Sequence, residues 1–365
     1  MTTSVLLVTL EGTQNFGNRL QHYALQQVIK SCGCNVGSLM VKPVLKLSNS
    51  KVKHAVKTIL AISGIRRYKI LAGKSGRIVK FLVFNTQYLT NVVRMPVHEV
   101  RRANWDDYAF AVTGSDQVWH NWHTKAIPDE LSFYYLEFVE EAKRVSYAPS
   151  FGFTEFPEED IEAHRRGLTG MRALSCREEE GCALIRELTG REAQKVLDPT
   201  LLLTAEDWAS IENKPRFRTP KRYLLQFFLG EVTPEYRAEI TRIAEQRGLC
   251  IINVNDPTDL KHYRISPDEF VWLVHHADTV CTDSFHASVF SVTFERNLRV
   301  FRRKEKNFED MFGRLHDLLE PLGLMNVVYG EGDALSTALS DEARSYLDQE
   351  RKTSLMYLKK SLNAE

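Results

Sequence analysis

The densest chemistry lies in Asp278-Thr-Val-Cys-Thr-Asp-Ser-Phe-His286, followed at once by Ala287-Ser-Val-Phe-Ser-Val-Thr-Phe294. A short apolar run ends in Asp283, Ser284 and His286, and a helical apolar pattern begins. In an open α/β sheet such a junction lies at the carboxyl edge of a strand, where ligands bind. The free N–H groups of a helix start favour an anion there. A carboxylate, a hydroxyl and an imidazole within four residues can handle a proton and a phosphate together. The plainer account is a helix N-cap at Asp283 or Ser284 beside a structural histidine.

Three further polar loops follow apolar runs. In Gly12-Thr-Gln-Asn-Phe-Gly-Asn18 the glycines let a ligand approach the backbone, and Asn15 and Asn18 offer amide contacts. The loop has neither a full GxGxxG nor a Walker lysine, so it is a weak phosphate loop. In Thr113-Gly-Ser-Asp-Gln-Val-Trp-His120, Ser115, Asp116 and Gln117 suit sugar hydroxyls, and Trp119 and the nearby Trp122 suit stacking on a sugar ring. Core packing competes for both tryptophans. In Ser175-Cys-Arg-Glu-Glu-Glu-Gly181, Arg177 is placed to bind carboxylate or phosphate, unless a neighbouring glutamate takes it. Beyond His286, Arg302-Arg-Lys-Glu-Lys306 adds cations.

These loops need strand ends to hold them. Residues 4–10 read as a buried parallel strand, 18–29 as an amphipathic helix and 34–41 as a second strand, an opening βαβ unit. Strands are expected at 109–113, 144–148, 173–176 and 195–203, with helices at 158–168 and 178–188. A second β/α series starts near residue 221, with strands at 222–229, 250–255, 279–282 and 299–302. Its helices are expected at 233–247, 266–275, 287–294 and 308–322. The linker Asn213-Lys-Pro-Arg-Phe-Arg-Thr-Pro220 divides a Rossmann-like domain at 1–212 from a second at 221–365. A final helix over about 341–362 is expected to pack back on the first domain. The fold class is α/β, two Rossmann-like domains facing across a cleft, the GT-B-like arrangement.

A chain of 365 residues is long for one core. With 43% hydrophobic and 26% charged residues the composition is that of a soluble globular protein. No run approaches the roughly 18 apolar residues of a membrane span. The N-terminus enters a strand without a basic n-region or cleavage site, so no signal peptide is expected. The six cysteines are scattered and lack zinc spacing, which fits reduced thiols, no metal site and a cytoplasmic protein. The net charge of +1 hides a segregation: between Glu11 and Glu99 there are 14 Lys and Arg and no acid. The rest of the chain carries 34 basic against 47 acidic residues. The basic segment 42–94 holds one or two amphipathic helices within 51–81. They suit the anionic inner face of a plasma membrane, or form an ordinary helix with a solvated basic face. Nothing points to nucleic acid.

Taken together, the loops match a known pattern. The chain resembles the polysaccharide pyruvyl transferase family. The resemblance runs through Asn15-Phe-Gly-Asn-Arg-Leu-Gln-His-Tyr-Ala-Leu-Gln26, Gly114-Ser-Asp-Gln-Val-Trp119 and Ser146-Tyr-Ala-Pro-Ser-Phe-Gly152. It continues through Ser175-Cys-Arg-Glu178, Val196-Leu-Asp-Pro-Thr200 and Thr282-Asp-Ser-Phe-His286, in one order over most of the chain. It implies a GT-B-like fold and transfer of pyruvate from phosphoenolpyruvate to a sugar, usually as a cyclic ketal bridging two hydroxyls. The family's S-x-H histidine falls on His286 and its S-x-R-E/D arginine on Arg177. A lysine about twenty residues beyond the histidine falls on Lys306, with Arg302, Arg303 and Lys304 competing. One departure is Thr-Asp-Ser-Phe-His itself, because other branches carry an arginine near the histidine.

The implied chemistry suits these residue types. The donor's phosphate and carboxylate call for cations, here Arg177, Lys306 and Arg303, with Ser284 as a further donor contact. Protonation of the enol C3 calls for a general acid, and deprotonation of the attacking hydroxyl for a general base. His286 can serve either step, with Asp283 to orient it. Asn15, Asn18, Ser115, Asp116, Gln117 and Trp119 are the expected acceptor contacts. No cofactor beyond phosphoenolpyruvate as co-substrate is expected. The acceptor sugar is lipid-linked on a polyprenyl diphosphate, nucleotide-linked or polymeric, and the first of these would bring the enzyme to the inner membrane face. Two alternatives remain: a nucleotide-sugar-dependent GT-B glycosyltransferase, and a non-catalytic glycan- or membrane-binding protein.

Overall fold

The computed structural model describes residues 2–12, 14–41, 66–123, 127, 129–304 and 312–364. The opening unit forms as the pattern predicts. β1 (Ser4–Val8) and β2 (Asn35–Val41) pair in parallel, joined through the helix Phe16–Ser31. Val5 to Val8 are fully buried, as a parallel strand covered on both faces requires. β3 (Val92–Met95), β4 (Phe110–Thr113) and β5 (Arg144–Ser146) complete a parallel sheet of order β3-β2-β1-β4-β5. β6 (Ser175–Cys176) and β7 (Gln194–Lys195) form a short parallel pair. After the proline-containing linker, β8 (Tyr223–Phe227), β9 (Cys250–Asn253), β10 (Thr279–Thr282) and β11 (Asn297–Val300) build a second parallel sheet of order β11-β10-β8-β9.

Chain direction through the sheet reverses between β1 and β4 in the first sheet and between β8 and β10 in the second. Such switch points open a crevice at the carboxyl ends of the strands. The loops at Gly12, Gly114 and Asp283 each follow one of these switch strands. The topology thus brings three of the four candidate loops to the two places where a doubly wound sheet binds ligands.

Aromatic packing joins the two halves. Phe16, at the start of the first helix, stacks on Phe270 with centroids 4.5 Å apart and rings 5° from parallel. The helix Arg66–Tyr88 buries Phe81 and Phe84 and reaches the second half through Arg77. The Arg77 Nε donates to the Tyr263 carbonyl at 2.8 Å, and Lys80 pairs with Glu269 at 2.7 Å. The C-terminal helix Asp341–Ser361 packs back on the first half, as expected. There the Leu197 N–H donates to the Ser354 hydroxyl at 2.9 Å, and the Tyr357 hydroxyl donates to the Ser146 carbonyl at 2.8 Å.

Three departures have local causes. The run 195–203 is not one strand: Pro199 has no N–H to give a ladder. Asp198 Oδ1 accepts from the Thr200 N–H at 3.0 Å and the Thr200 hydroxyl at 2.7 Å, which closes a short 3-10 turn over Pro199–Leu201. β11 starts two residues before the expected 299–302, because Asn297 pairs with Thr279. β3 is an edge strand of four residues without a buried position, too short for a pattern. Of the basic segment 42–94, residues 42–65 lie outside the described residues.

Candidate active site

The turn after β10 places His286. The Ser284 N–H donates to Thr282 Oγ1 at 3.0 Å, and the Ser284 hydroxyl oxygen caps the helix Phe285–Thr293 by accepting from the Ala287 N–H at 3.5 Å. Ser284 therefore serves as the N-cap and is nearly buried, which corrects its expected role as a donor contact. Asp283 accepts from the backbone N–H groups of Leu229 and Gly230 at 2.7 and 2.8 Å. It ties β10 to the loop after β8, across the switch point. Burial pushes its carboxyl up, against those two donors and Arg303. It does not orient His286, and that expectation is corrected too.

The partners of His286 come from the other half. One edge of its ring lies against Gly17 in the first helix, where a Cβ would stand 2.2 Å from Nδ1. Only glycine leaves room for the ring there. Its Nε2 has no hydrogen-bond partner among the described residues. It faces Asp198 Oδ2 at 3.7 Å, within ion-pair reach but too long for a hydrogen bond.

Asp198 belongs to a buried charge network. Arg177 Nη1 donates to Asp198 Oδ2 at 2.9 Å, its Nε to Glu178 Oε1 at 2.9 Å and its Nη2 to Asp116 Oδ1 at 3.4 Å. The Arg177 side chain is 4% exposed and that of Asp198 is 0% exposed. Burial alone would raise the Asp198 carboxyl. His286, Arg177 and Thr200 outweigh it and hold the group well below the usual carboxylate range. Asp116 is also lowered, with burial overcome by Arg177, His286 and Arg314. Burial opposes the Arg177 charge, but Glu178, Asp116 and Asp198 hold it above an ordinary arginine. The network is thus a fixed set of charges around His286. Arg177 is brought to the site as expected, but its three donor edges are taken by carboxylates. It organises the pocket rather than presenting an unpaired cation.

The expected acceptor residues divide. The Ser115 N–H and hydroxyl both donate to Gln21 Oε1, at 3.0 and 2.7 Å, and the hydroxyl lies 3.4 Å from Asp198 Oδ2. The Asn18 Nδ2 donates to Asp116 Oδ2 at 2.5 Å. Asn18, Ser115 and Asp116 are therefore buried supports of the charge network, which corrects their expected role as open hydroxyl contacts. Asn15 Oδ1 caps the first helix by accepting from the Asn18 N–H at 3.4 Å. Asn15 is half-buried, and Gln117 packs on Gly152, which has φ +74°. Trp119 is fully buried, stacked on Tyr135 at 5.2 Å and packed against Phe151. No face of it is open to a sugar, so core packing is the correct account. Trp122 is half-exposed and lies against His120. Arg303 lies 3.7 Å from Asp283, on the rim of the β10 turn. Lys306 lies outside the described residues.

Sequence reasoning passed over two residues. Asp198 sat inside the quoted Val196-Leu-Asp-Pro-Thr200 stretch, and an acid just before proline at a strand end was the available signal. Arg314 carried no signal. It lies in the helix Gly313–Leu319, with Nη1 3.7 Å from Asp116 Oδ1 and a side chain 13% exposed. Burial and the nearby Arg177 lower it to about 10.

A model of the family described as polysaccharide pyruvyl transferase matches residues 15–305. The chain belongs to that family. No curated protein gives a significant match. Among solved structures, a UDP-GlcNAc 2-epimerase from Methanocaldococcus jannaschii aligns over 100% of this chain and 94% of its own, at 11% identity and a TM-score of 0.50. One from Rickettsia bellii aligns over 100% and 98%, at 8% identity and a TM-score of 0.45. At 11% identity the likeness to the Methanocaldococcus jannaschii enzyme concerns the fold, which is the GT-B-like pair of Rossmann-like domains. Family and fold together make the polysaccharide pyruvyl transferase homologue a transferase.

Proposed function

We propose that the protein transfers pyruvate from phosphoenolpyruvate to two hydroxyls of a sugar, forming a ketal during synthesis of a surface glycan. The observation that carries this reading is His286: an unpartnered Nε2 facing an ionised carboxylate, inside a fixed ring of charge between two switch points. A proton from His286 to C3 of the donor makes C2 electrophilic. A sugar hydroxyl then adds to C2 and gives up its proton. The C2–O bond to phosphate breaks, with its electron pair leaving on phosphate. A second hydroxyl adds to C2, loses its proton and closes the ring. One donor and one diol give one ketal and one inorganic phosphate. Asp198 supports the imidazolium electrostatically, and the Arg177 network holds Asp198 in place.

Membrane contact belongs to the same reading. Leu71, Val79, Leu82 and Val83 are exposed on the helix Arg66–Tyr88, next in sequence to the basic run. Among the described residues no helix is long and apolar enough to cross a membrane, so the contact would be peripheral. Flotation with phosphatidylglycerol vesicles should carry the protein, and phosphatidylcholine vesicles should not. A Leu82→Glu/Val83→Glu variant that still floats removes this face from consideration.

The central test is thermal stabilisation by phosphoenolpyruvate, with UDP and GDP in parallel. A ligand that binds only the native state raises the melting temperature, by the equivalent of about 2.7 kcal/mol at a hundred times its Kd. Phosphoenolpyruvate is expected to stabilise and the nucleotides are not. Stabilisation by a nucleotide diphosphate alone would overturn the reading in favour of a glycosyltransferase.

A further inference from the structure

Away from the charge network, a second set of polar groups meets at the end of the helix Pro267–His275. His275 is the last residue of that helix and His276 its C-cap. Glu212 reaches them from the segment that leads into the proline-containing linker. Its backbone is fixed on both sides. The Ile211 carbonyl accepts from the Tyr88 hydroxyl at 3.2 Å, and the Asn213 N–H donates to the Asp268 carbonyl at 3.2 Å. Glu212 Oε2 then lies 2.7 Å from His275 Nδ1 and 3.9 Å from His276 Nδ1. One ligand atom from each residue lies within 4.8 Å of the other two. Among the described residues no other three His, Cys, Asp or Glu side chains offer ligand atoms this close together.

An ordinary ion pair accounts for Glu212 and His275 alone. His276 is turned to the same carboxylate oxygen, yet at 3.9 Å it is beyond hydrogen-bond reach. Both rings are held in place by stacking. His275 lies on Phe294 with centroids 4.2 Å apart and rings 12° from parallel, and His276 lies on Trp272 at 4.2 Å and 14°. The His276 Nδ1 also lies 3.0 Å from the Trp272 carbonyl. Rings fixed in this way lose little freedom when a ligand arrives. The helix end adds to the effect, because its last carbonyls carry partial negative charge and favour a cation. The Glu212 side chain is 18% exposed, against 33% for His275 and 41% for His276. The carboxylate is therefore shielded, while the imidazoles face the solvent from which an ion would enter.

We propose that Glu212, His275 and His276 bind a zinc-class divalent ion, which fastens the segment between the two sheets to the helix Pro267–His275. Two imidazoles and one carboxylate suit zinc and its neighbours in the Irving–Williams series, not magnesium or calcium. In a zinc tetrahedron, with bonds of about 2.0–2.1 Å, ligand atoms stand about 3.4 Å apart. The observed 2.7 and 3.9 Å lie on either side of that value. A small swing of the exposed His276 side chain closes the set, and the fourth position is left to water. Each ring then carries its proton on Nε2, since a metal takes a neutral imidazole through a bare nitrogen. Sequence spacing gave no sign of this group, because Glu212 lies 63 residues before His275. Phe294 caps the far end of the helix whose start holds His286. The ion would thus stand about a nine-residue helix, roughly 13 Å, from the candidate catalytic histidine, and its role is to hold the fold.

The test is calorimetric titration of tag-free, EDTA-treated full-length protein with Zn²⁺ and with Mg²⁺, repeated on Glu212→Gln and His276→Ala. Wild-type protein is expected to take a single Zn²⁺ at this site and to ignore Mg²⁺. Each variant removes one ligand at a partly exposed position, so the fold should persist, which circular dichroism checks. Each should weaken Zn²⁺ by at least about 10-fold. A Zn²⁺ affinity within about twofold of wild type in either variant means that the ion sits elsewhere, and it overturns the site. Wild-type protein that binds no Zn²⁺ overturns it as well. A second readout needs no variant: diethyl pyrocarbonate labelling of native protein, mapped by peptide mass spectrometry. Protection of His275 and His276 by Zn²⁺ supports the site, and undiminished labelling of both under saturating Zn²⁺ overturns it.

Discussion

His286→Ala is expected to lower ketal formation by about 10²- to 10⁴-fold, the usual loss when a general acid–base group is removed. The fold should survive, because His286 Nε2 has no hydrogen-bond partner among the described residues for the substitution to remove. Circular dichroism and a melting curve close to wild type would establish that point. Titration of the same variant with phosphoenolpyruvate reads donor binding apart from turnover. Turnover near wild type in a folded His286→Ala protein would sink the catalytic assignment. Gly17→Ala offers an independent approach to the same ring. Gly17 is the second residue of its helix, so an alanine there gains less than the roughly 1 kcal/mol that separates the two residues in a helix interior. Its methyl group would stand 2.2 Å from His286 Nδ1, so the ring must move. The expected signature is a large loss of turnover in a protein that stays folded, destabilised by no more than the roughly 1–3 kcal/mol of overpacking.

The architecture was legible because it rests on local patterns that propagate. A buried run such as Val5–Val8, an amphipathic helix and a second strand can close in essentially one right-handed way. The candidate loops were legible for the same reason, since each followed a strand end. Side-chain roles were harder, because they depend on which loops the two domains bring together. Asp283 and His286 are three residues apart, yet Asp283 points to the β8 loop, while His286 meets Gly17 and Asp198 from elsewhere in the chain. Sequence proximity suggested a pair that tertiary packing separated. Trp119 misled in the opposite way. Its Gly-Ser-Asp-Gln neighbours are polar, but a two-residue step past Gln117 turns it into the core against Tyr135. Arg314 was invisible, because a lone arginine in a short helix gives no sign of being drawn under a neighbouring domain.

Asp198→Asn should couple stability and catalysis in one variant. Asp198 is fully buried and accepts from Arg177 and Thr200 while facing His286. Asparagine keeps the shape and can keep the Thr200 contact, but it removes a buried charge opposite Arg177. Breaking a buried ion pair typically costs about 3–5 kcal/mol. The lower end applies here, because Glu178 and Asp116 still flank Arg177. The pH dependence follows from the direction of the shift. The Asp198 carboxyl is held below its unfolded value, so its stabilisation is present in full above the unfolded value of about 3.9. That contribution is lost as pH falls toward the depressed native value. The stability gap between wild type and Asp198→Asn should therefore be constant near neutrality and narrow below about pH 4. Urea unfolding at several pH values measures it. On the proposed mechanism catalysis should also fall, because a neutral amide no longer sets a negative charge opposite His286. A gap that stays constant into acid would mean that Asp198 acts through shape and hydrogen bonding alone. The part proposed for the Asp198 charge in catalysis would then fall.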